Sequence, residues 1–398
     1  MTDLDPSSLR DEAEAMRDEL VAMRRDLHAH PELSFQEFRT AGIVAKTLSE
    51  LGYEVQTGVG QTGVIGVLDG AAAGAQTLLL RFDMDALPIQ EDADVTFRST
   101  RDTVMHACGH DAHTTIGLGV ARLLARHRDR WSGAIKFAFQ PAEEIGQGAA
   151  AMIADGALLN PAPTRALSMH VWSTVPSGTI AITPGPTLAA IDIFDITITG
   201  RGAHGASPQE GADPIVAAAQ IISALQSIVS RNVSPLDQGV VTVGSIHGGS
   251  AHNIIPDAVA LKGTIRSFDD ATMRLLKRRM GEIIDGIARA LGVRASVAFS
   301  PGGGLPATVN DPAMAMLVAD VARQLVPSER VLTDYRNTVS EDCALFLQAV
   351  PGAFAFVGAG NVAQGIDAPH HSPRFQIDED CLPLSVALMT SSALQMLK

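Results

Sequence analysis

The sequence predicts an α/β protein in which a discontinuous domain with a largely parallel sheet is interrupted by a second, inserted module. Three observations carry that prediction. From about residue 40 to 180, helical stretches alternate with short apolar runs at Thr77 to Phe82, Ala134 to Phe139 and Ala166 to Val171, the pattern of parallel strands covered by helices. Between about 188 and 302 the order becomes β-α-β-β-α-β, the split βαβ arrangement. After 305 the first rhythm resumes. A chain of 398 residues has the length for two or three domains and needs no staples.

The chain opens with Leu9, Ala13, Met16, Leu20, Met23 and Leu27, spaced by fours and threes, which predicts one amphipathic helix with Ser8 and Asp11 placed for a capping box. His30-Pro31 is its expected stop. Gly58, Gly60 and Gly63 match G-x-G-x-x-G, but Val64 to Leu68 follow as a strand-like run where a dinucleotide site needs a helix. Gly70 to Ala75 reads as a surface loop. The inserted module contains strands at Asp192 to Thr199, Val240 to Ile246, Val259 to Ile265 and Val293 to Phe299. Its helices start at Asp213-Pro214 and span Asp270 to Leu291. Pro184-Gly185-Pro186 precedes it and Pro301-Gly302-Gly303-Gly304 follows it, which sets the expected boundaries at 1–187 with 303–398 for the first domain and 188–302 for the insert. A helix from about Asp311, a strand near Phe354 to Val357 and a helix from about Asp378 complete the first domain.

Lys and Arg number 30 against 44 Asp and Glu, a net charge of −14. That is the wrong sign for neutralising phosphates or anionic lipid, so no nucleic-acid partner and no membrane surface are expected. Three cysteines, Cys108, Cys343 and Cys381, cannot form a disulfide framework in a chain this long, and a reducing compartment suits them. Met1 to Arg10 carries Asp3 and Asp5 without an apolar core, and no run of about 18 apolar residues occurs. A soluble, cytoplasmic protein is the expectation.

P-loop, G-x-S-x-G and H-E-x-x-H patterns are absent, which leaves histidine and carboxylate chemistry. The densest cluster is His106-Ala107-Cys108-Gly109-His110-Asp111-Ala112-His113, just before a helical pattern. Cys108 and His110, two apart around a glycine, can turn a thiolate and an imidazole onto one centre. A buried cysteine among satisfied histidines is the other reading. Gln140-Pro141-Ala142-Glu143-Glu144 puts adjacent carboxylates after a strand, where open α/β sheets build their sites. Such carboxylates repel unless a cation lies beside them, although a solvated helix N-terminus would also hold them. His170 ends another apolar strand, and His370-His371 lies near the C-terminus. Ser340-Glu341-Asp342 reads as a helix N-cap with first-turn acids, and His247 and His252 as loop residues.

Leu27-His28-Ala29-His30-Pro31-Glu32-Leu33-Ser34, Arg81-Phe82-Asp83-Met84-Asp85-Ala86-Leu87-Pro88, the Cys108 to His113 run, Gln140 to Glu144, Gly202-Ala203-His204-Gly205-Ala206 and His371-Ser372-Pro373 stand in this order. Over almost its whole length the chain thereby resembles the metal-dependent aminoacylase/carboxypeptidase family, in the branch of hippurate hydrolases, N-acyl-amino-acid amidohydrolases and auxin-conjugate hydrolases. The resemblance implies a catalytic domain with an inserted ferredoxin-like lid and dimerisation domain. It makes Cys108, His110, Glu144, His170 and His371 ligands of two divalent ions, zinc or manganese, with nickel or cobalt as alternatives, and His370 the runner-up to His371. It makes Glu143 the general base acting on a metal-bridged water. Two such ions against one thiolate and one carboxylate leave a charge of about +2, enough to hold a hydroxide.

Where the wider family opens its site with His-x-Asp, this chain has Asp83-Met84-Asp85. Asp85 thereby becomes a catalytic residue that orients a ligand imidazole without touching metal. The resemblance gives His204 the oxyanion, reached from the partner subunit, and gives Asn253 and Arg266 the substrate carboxylate. Without it, these three read as a loop histidine, a turn asparagine and a solvated arginine. The implied reaction is hydrolysis of the amide of an N-acyl amino acid by a homodimer or tetramer. Three alternatives stay open: a dipeptidase or carboxypeptidase on the same scaffold, an enzyme with Cys108 as nucleophile and His110 as base, and a binding protein without turnover.

Overall fold

A computed structural model describes residues 5–398, and Asp3 of the acidic opening lies outside the described residues. The chain divides into two compact units. The first comprises residues up to Thr187, Val309–Arg336 and Glu341–Lys398, and the second comprises Leu188–Thr308 and Asn337–Ser340.

In the first unit the expected opening helix is two helices, Pro6–Ala15 and Arg17–Ala29, separated at Met16, whose φ of −94° and ψ of 0° leave the helical region. The cap is Asp5, whose side chain accepts from the Ser7 N–H at 3.1 Å, and not a Ser8–Asp11 box. Pro6 at the first helical position accounts for the earlier start, because its fixed φ suits a site whose N–H needs no partner. The second helix ends at His30, as expected.

Eight strands form the sheet, in the order Glu54–Val59, Gly63–Asp69, Ser132–Gln140, Ala72–Asp83, Arg165–Pro176, Gly352–Gly360, Ile180–Ala181, Val331–Leu332. Its four central strands, from Ser132–Gln140 to Gly352–Gly360, run parallel, and antiparallel pairs flank them. Leu78, Leu79 and Leu80 are all buried although successive side chains face opposite sides, which is why these strands read as unbroken apolar runs. Parallel register sets Asp83 opposite Gln140 at the carboxyl ends of their strands, and Phe356 opposite His170, which lies within the strand Arg165–Pro176 and not at its end as expected, because the strand continues in register with Gly352–Gly360. Gly63 opens a strand paired antiparallel to Ser132–Gln140, so the glycine match belongs to a hairpin. The expected loop at Gly70 to Ala75 is a loop only to Ala71. From Ala72 the chain is the exposed start of a strand, whose small residues let it lie against Ser132 and Gly133.

The second unit holds an antiparallel sheet in the order Gly239–Gly248, Ala258–Ser267, Ala190–Thr199, Arg294–Phe299. Alternate residues of the middle strand, Phe194, Ile196 and Ile198, are buried with Ile221 and Leu225 of the helix Pro214–Arg231 and Leu276 and Met280 of the helix Asp270–Leu291. Expected loop residue His247 lies instead on the strand Gly239–Gly248, opposite Ala260. The unit extends beyond the expected cut at 302, because Leu305 and Ile191 exchange two backbone hydrogen bonds at 2.9 and 3.0 Å. Gly304 permits that approach: at φ 76°, a Cβ there would lie 2.1 Å from the Ile191 carbonyl oxygen. Residues 337–340 return to the same unit, where Val339 accepts from the Ala189 N–H at 3.0 Å.

Candidate metal centre

Four segments of the first unit supply five potential donors. Gly109, at φ 93°, precedes the helix His110–Arg126, and a Cβ there would strike Val171 at 2.6 Å. That turn brings Cys108 and His110 onto one centre. After the strand Ser132–Gln140 the chain passes through Ala142 at φ 53° and presents Glu143 and Glu144. His371, at φ 65°, is tied back by its N–H to the Ala107 carbonyl at 2.8 Å. One ligand atom each from Cys108, His110 and Glu144 lies within 4.8 Å of the others. His170 Nε2 is 3.5 Å from Cys108 Sγ, and His371 Nε2 is 3.3 Å from Glu144 Oε2.

Hydrogen bonding sorts these histidines from their neighbours. His110 Nδ1 donates to the Asp85 carbonyl at 2.9 Å, while His110 Nε2 and Glu144 Oε1 are buried without a partner. His170 Nδ1 donates to the Val171 carbonyl at 2.6 Å, leaving Nε2 with a free lone pair toward Cys108. His113, whose ring lies against His170, has both nitrogens engaged: Nδ1 with Asp83 at 2.5 Å and Nε2 with the Val171 N–H at 2.9 Å. His370 is engaged by the Val171 carbonyl at 3.1 Å and Ser173 at 3.3 Å, and its ring stacks on Trp172. The set with donor atoms available is thus Cys108, His110, Glu144, His170 and His371. Buried nitrogen and carboxylate donors left unpaired, beside the sulfur of Cys108, fit divalent transition ions.

Electrostatics point the same way. Burial pushes the Cys108 thiol well above its ordinary pKa, and the charges of Glu144 and Glu143 push it further. Burial alone would lower His110, but Asp83, Asp85 and Glu144 outweigh it and raise it to about 10 in the metal-free chain. Burial, His113 and His370 hold His170 well below the usual imidazole range. Glu143 is raised well above the carboxyl range by burial and by Glu341, Glu144 and Asp342. Besides Glu144, the carboxylates of Asp83, Asp85, Glu143, Glu341 and Asp342 thus act on the centre, outside the one thiolate and one carboxylate counted as ligands from the sequence.

Glu341 and Asp342 were expected as first-turn acids of a helix capped at Ser340. Instead they are buried, Asp342 lies before the helix Ala344–Ala349, and both face Arg81 Nη2 at 2.9 and 3.1 Å. Arg81 also donates to Asp83 at 2.6 Å and to Gln140 at 2.8 Å, and Glu143, Glu341 and Asp342 lie mutually within 4.8 Å. A buried guanidinium requires partners, so Arg81 inside the apolar strand was the signal for them. Burial and Glu341 push Asp342 up to about 7, against the pull of Arg81. Asp85, expected to orient a ligand imidazole, lies against His110 Nδ1 and also holds the Glu143–Glu144 turn. Its carbonyl makes the closer contact with His110, whereas its carboxylate accepts from the Glu143 N–H at 3.0 Å, the Glu144 N–H at 3.1 Å and Ser34 at 2.7 Å.

His204, Asn253 and Arg266 lie on the second unit. His204 is exposed on the short strand Ala203–His204, and its Nδ1 accepts from the Ala206 N–H at 3.0 Å, so Nε2 carries the ring proton. The Asn253 carbonyl accepts from Gly205 at 2.8 Å. Arg266 is half-buried and donates to the Thr338 carbonyl at 2.7 Å and to Ser340 at 3.0 Å, which replaces the solvated arginine of the plain reading.

The chain resembles named proteins along most of its length. It is 39% identical over 373 residues to N-acetyl-L-cysteine deacetylase of Bacillus subtilis, covering 94% of this chain and 87% of that protein. It is 38% identical to IAA-amino acid hydrolase ILR1-like 2 of Arabidopsis thaliana over 94% of this chain and 84% of that protein. Thermostable carboxypeptidase 1 of Saccharolobus solfataricus is 39% identical over 90% of this chain and 91% of its own. The crystal structure of the Bacillus subtilis YXEP protein, described as a dinuclear metal binding peptidase, superposes with a TM-score of 0.84. It is 34% identical and covers 96% of this chain and 99% of that one. Residues 79–395 match peptidase family M20/M25/M40, and the chain belongs to that family.

Proposed function

We propose that the protein hydrolyses the amide bond of a small N-acyl amino acid, with two divalent ions held by Cys108, His110, Glu144, His170 and His371. The observation that carries this reading is the convergence of five donors, two of them with buried unpartnered atoms, beside the carboxylate of Glu143. The deacetylase and the IAA-amino acid hydrolase among its relatives support the substrate class. When bound, two such ions polarise the scissile carbonyl and lower the pKa of water.

Glu143, whose side chain is 11% exposed, takes the proton of the attacking water and returns it to the leaving amine. Asp85 holds the peptide that carries both glutamates. His204, with its proton on Nε2, is suited to donate to the oxyanion, and Arg266 with Asn253 to receive the substrate carboxylate. The cysteine-nucleophile alternative loses ground because burial and acidic neighbours disfavour a free Cys108 thiolate.

A homodimer through the second unit completes the reading. The helix Pro214–Arg231 carries no charged side chain before Arg231 and has 33% of its residues buried, and the strand Gly239–Gly248 leaves one edge of its sheet open. An apolar helix beside an open strand edge suits a second copy of the chain. Zinc or manganese is the proposed metal pair, and a cytoplasmic setting suits the free cysteines.

The deciding experiment reloads metal-free protein with manganese, zinc, nickel or cobalt and assays N-acetyl, N-benzoyl and indole-acetyl amino acids against dipeptides. Turnover of an acyl amino acid by the two-ion form is expected. Dipeptides cleaved in preference would replace this reading with the peptidase one, which the carboxypeptidase relative favours.

A further inference from the structure

The turn bearing Glu143 and Glu144 is held by a second buried carboxylate besides Asp85. Glu37 Oε1 accepts from the Ala142 N–H at 3.0 Å and from the Phe35 N–H at 2.9 Å, and Glu37 Oε2 accepts from the Thr62 hydroxyl. Three consecutive backbone N–H groups, at 142, 143 and 144, therefore end on the carboxylates of Glu37 and Asp85. Both carboxylates are braced by one stretch of chain, since Ser34 bonds Asp85 and Glu37 lies three residues later. Thr62 stands at the tip of the hairpin read from the sequence as Gly58-x-Gly60-x-x-Gly63, a motif with no other part in the site.

Ala142 needs such a hold. Its φ of 53° is the left-handed conformation that an L-residue with a Cβ rarely adopts and leaves when nothing opposes it. We propose that Glu37 is a positioning residue for amide hydrolysis: by fixing the Ala142 peptide it aims the Glu143 carboxylate, while Asp85 holds the Glu143 and Glu144 N–H groups that follow. The inference rests on Glu143 as the base. All three partners of Glu37 are donors, so an acceptor oxygen toward Ala142 and Phe35 is what the site requires, and a negative charge is not. A glutamine meets that need, with its oxygen toward the two N–H groups and its amide donating to the Thr62 oxygen.

The test compares Glu37→Ala and Glu37→Gln with the parent enzyme for bound metal, kcat, KM and hydrogen exchange of the Ala142 amide. For Glu37→Ala we expect two ions retained, faster exchange at Ala142, kcat lower by about tenfold or more and KM within about threefold, the pattern of a misaimed catalytic group. Glu37→Gln is expected within about threefold of the parent in kcat, as retention of the hydrogen bonds requires. The proposal falls if folded Glu37→Ala keeps parental kcat, if Ala142 exchanges no faster, or if Glu37→Gln is as slow as Glu37→Ala. Should Glu37→Ala not fold, Thr62→Val replaces it, with faster Ala142 exchange and a smaller fall in kcat expected, and parental values of both overturning the proposal. Glu143→Gln runs in parallel. If it loses turnover with metals retained while Glu37→Ala does not, the positioning inference alone fails, whereas an active Glu143→Gln removes the base assignment as well.

Discussion

Two clusters of buried histidine and carboxylate share the helix His110–Arg126, and neighbouring residues of that helix belong to different ones. Asp111 joins Arg24, His28 and Glu91. Its carboxylate lies 2.8 Å from Arg24 and 2.7 Å from His28 Nδ1, and His28 Nε2 lies 3.2 Å from Glu91. Burial and Arg24 lower the His28 pKa, but the carboxylates at its two ring nitrogens outweigh them and raise it; with Glu379, which pairs with both Arg24 and Arg25, this cluster sets three basic side chains against three carboxylates. His106 beside it, pushed down to about 4 by burial, is neutral. His110 joins the other cluster, where Asp83, Asp85, Glu143 and Glu144 lie near its ring and Asp83, Glu341 and Asp342 surround the guanidinium of Arg81. There the charge is unbalanced, and His110 Nε2 and Glu144 Oε1 have no partner. The residue types are the same in both. Charge balance separates an ionic pin of the fold from a site suited to cations.

The largest test of that contrast is at Glu143 and Glu144. Glu143→Gln is expected to keep two ions per chain and lose kcat by roughly 10²- to 10⁴-fold, the worth of a general acid–base group. Glu144→Gln is expected to lose metal. Elemental analysis beside initial rates decides it. A single ion per fully active chain, or equal loss of metal in both variants with Glu143→Gln active on reloading, would break the assignment.

In the balanced cluster the same kind of change acts on the fold. Arg24→Met strands the buried Asp111 carboxylate, at a cost of about 3–5 kcal/mol in unfolding free energy, as for other buried pairs stripped of one partner. Two ions should still bind at saturating metal. Denaturant unfolding with metal analysis checks both, and loss of metal without loss of stability would merge the two clusters into one.

His204 belongs to neither cluster, and its single side-chain bond to the Ala206 N–H leaves Nε2 free to donate. Its loss as His204→Ala should lower kcat by about 10²- to 10³-fold with bound metal unchanged. Mixing His204→Ala with Glu143→Gln chains should restore up to about a quarter of parental activity if His204 serves the partner's site. A dead mixture with proven subunit exchange removes that role.

The contrast also explains what was legible beforehand. Strands such as Thr77 to Phe82 announce themselves because both their faces are buried, and the β-α-β-β-α-β order of the insert is visible in local periodicity. Cys108, His110, Glu143 and Glu144 lie in short motifs whose turns the glycine and strand ends determine. Glu341 and Asp342 could not be read so, since they meet Arg81 across some 260 residues of chain and look locally like first-turn acids. Glu37 was hidden for the same reason: its partners Ala142 and Thr62 come from other elements. The return of residues 337–340 to the second unit rests on backbone pairing, which leaves no mark on side-chain pattern.

The smallest effect expected concerns the proton on His28. Burial lowers its pKa and Arg24 lowers it further, but the bonds to Asp111 and Glu91 and the charge of Asp111 outweigh them, so the folded value lies above the ordinary 6.5. Such a group contributes stability that is fully present below about pH 6.5, the unfolded value, and is lost as pH rises through the folded value. The groups facing it are Arg24, Asp111, Glu91 and neutral His106, and within that set only His28 itself has to change charge between neutral and mildly alkaline pH. Urea unfolding of the chelated protein should therefore show stability falling with pH above 6.5 more steeply than in His28→Gln, by at most about 1.4 kcal/mol per pH unit for one proton. Chelation matters because the metal ligands release protons of their own on binding. Parallel slopes in the two proteins would mean that His28 is neutral in the fold, and the first cluster would then carry an excess negative charge of its own.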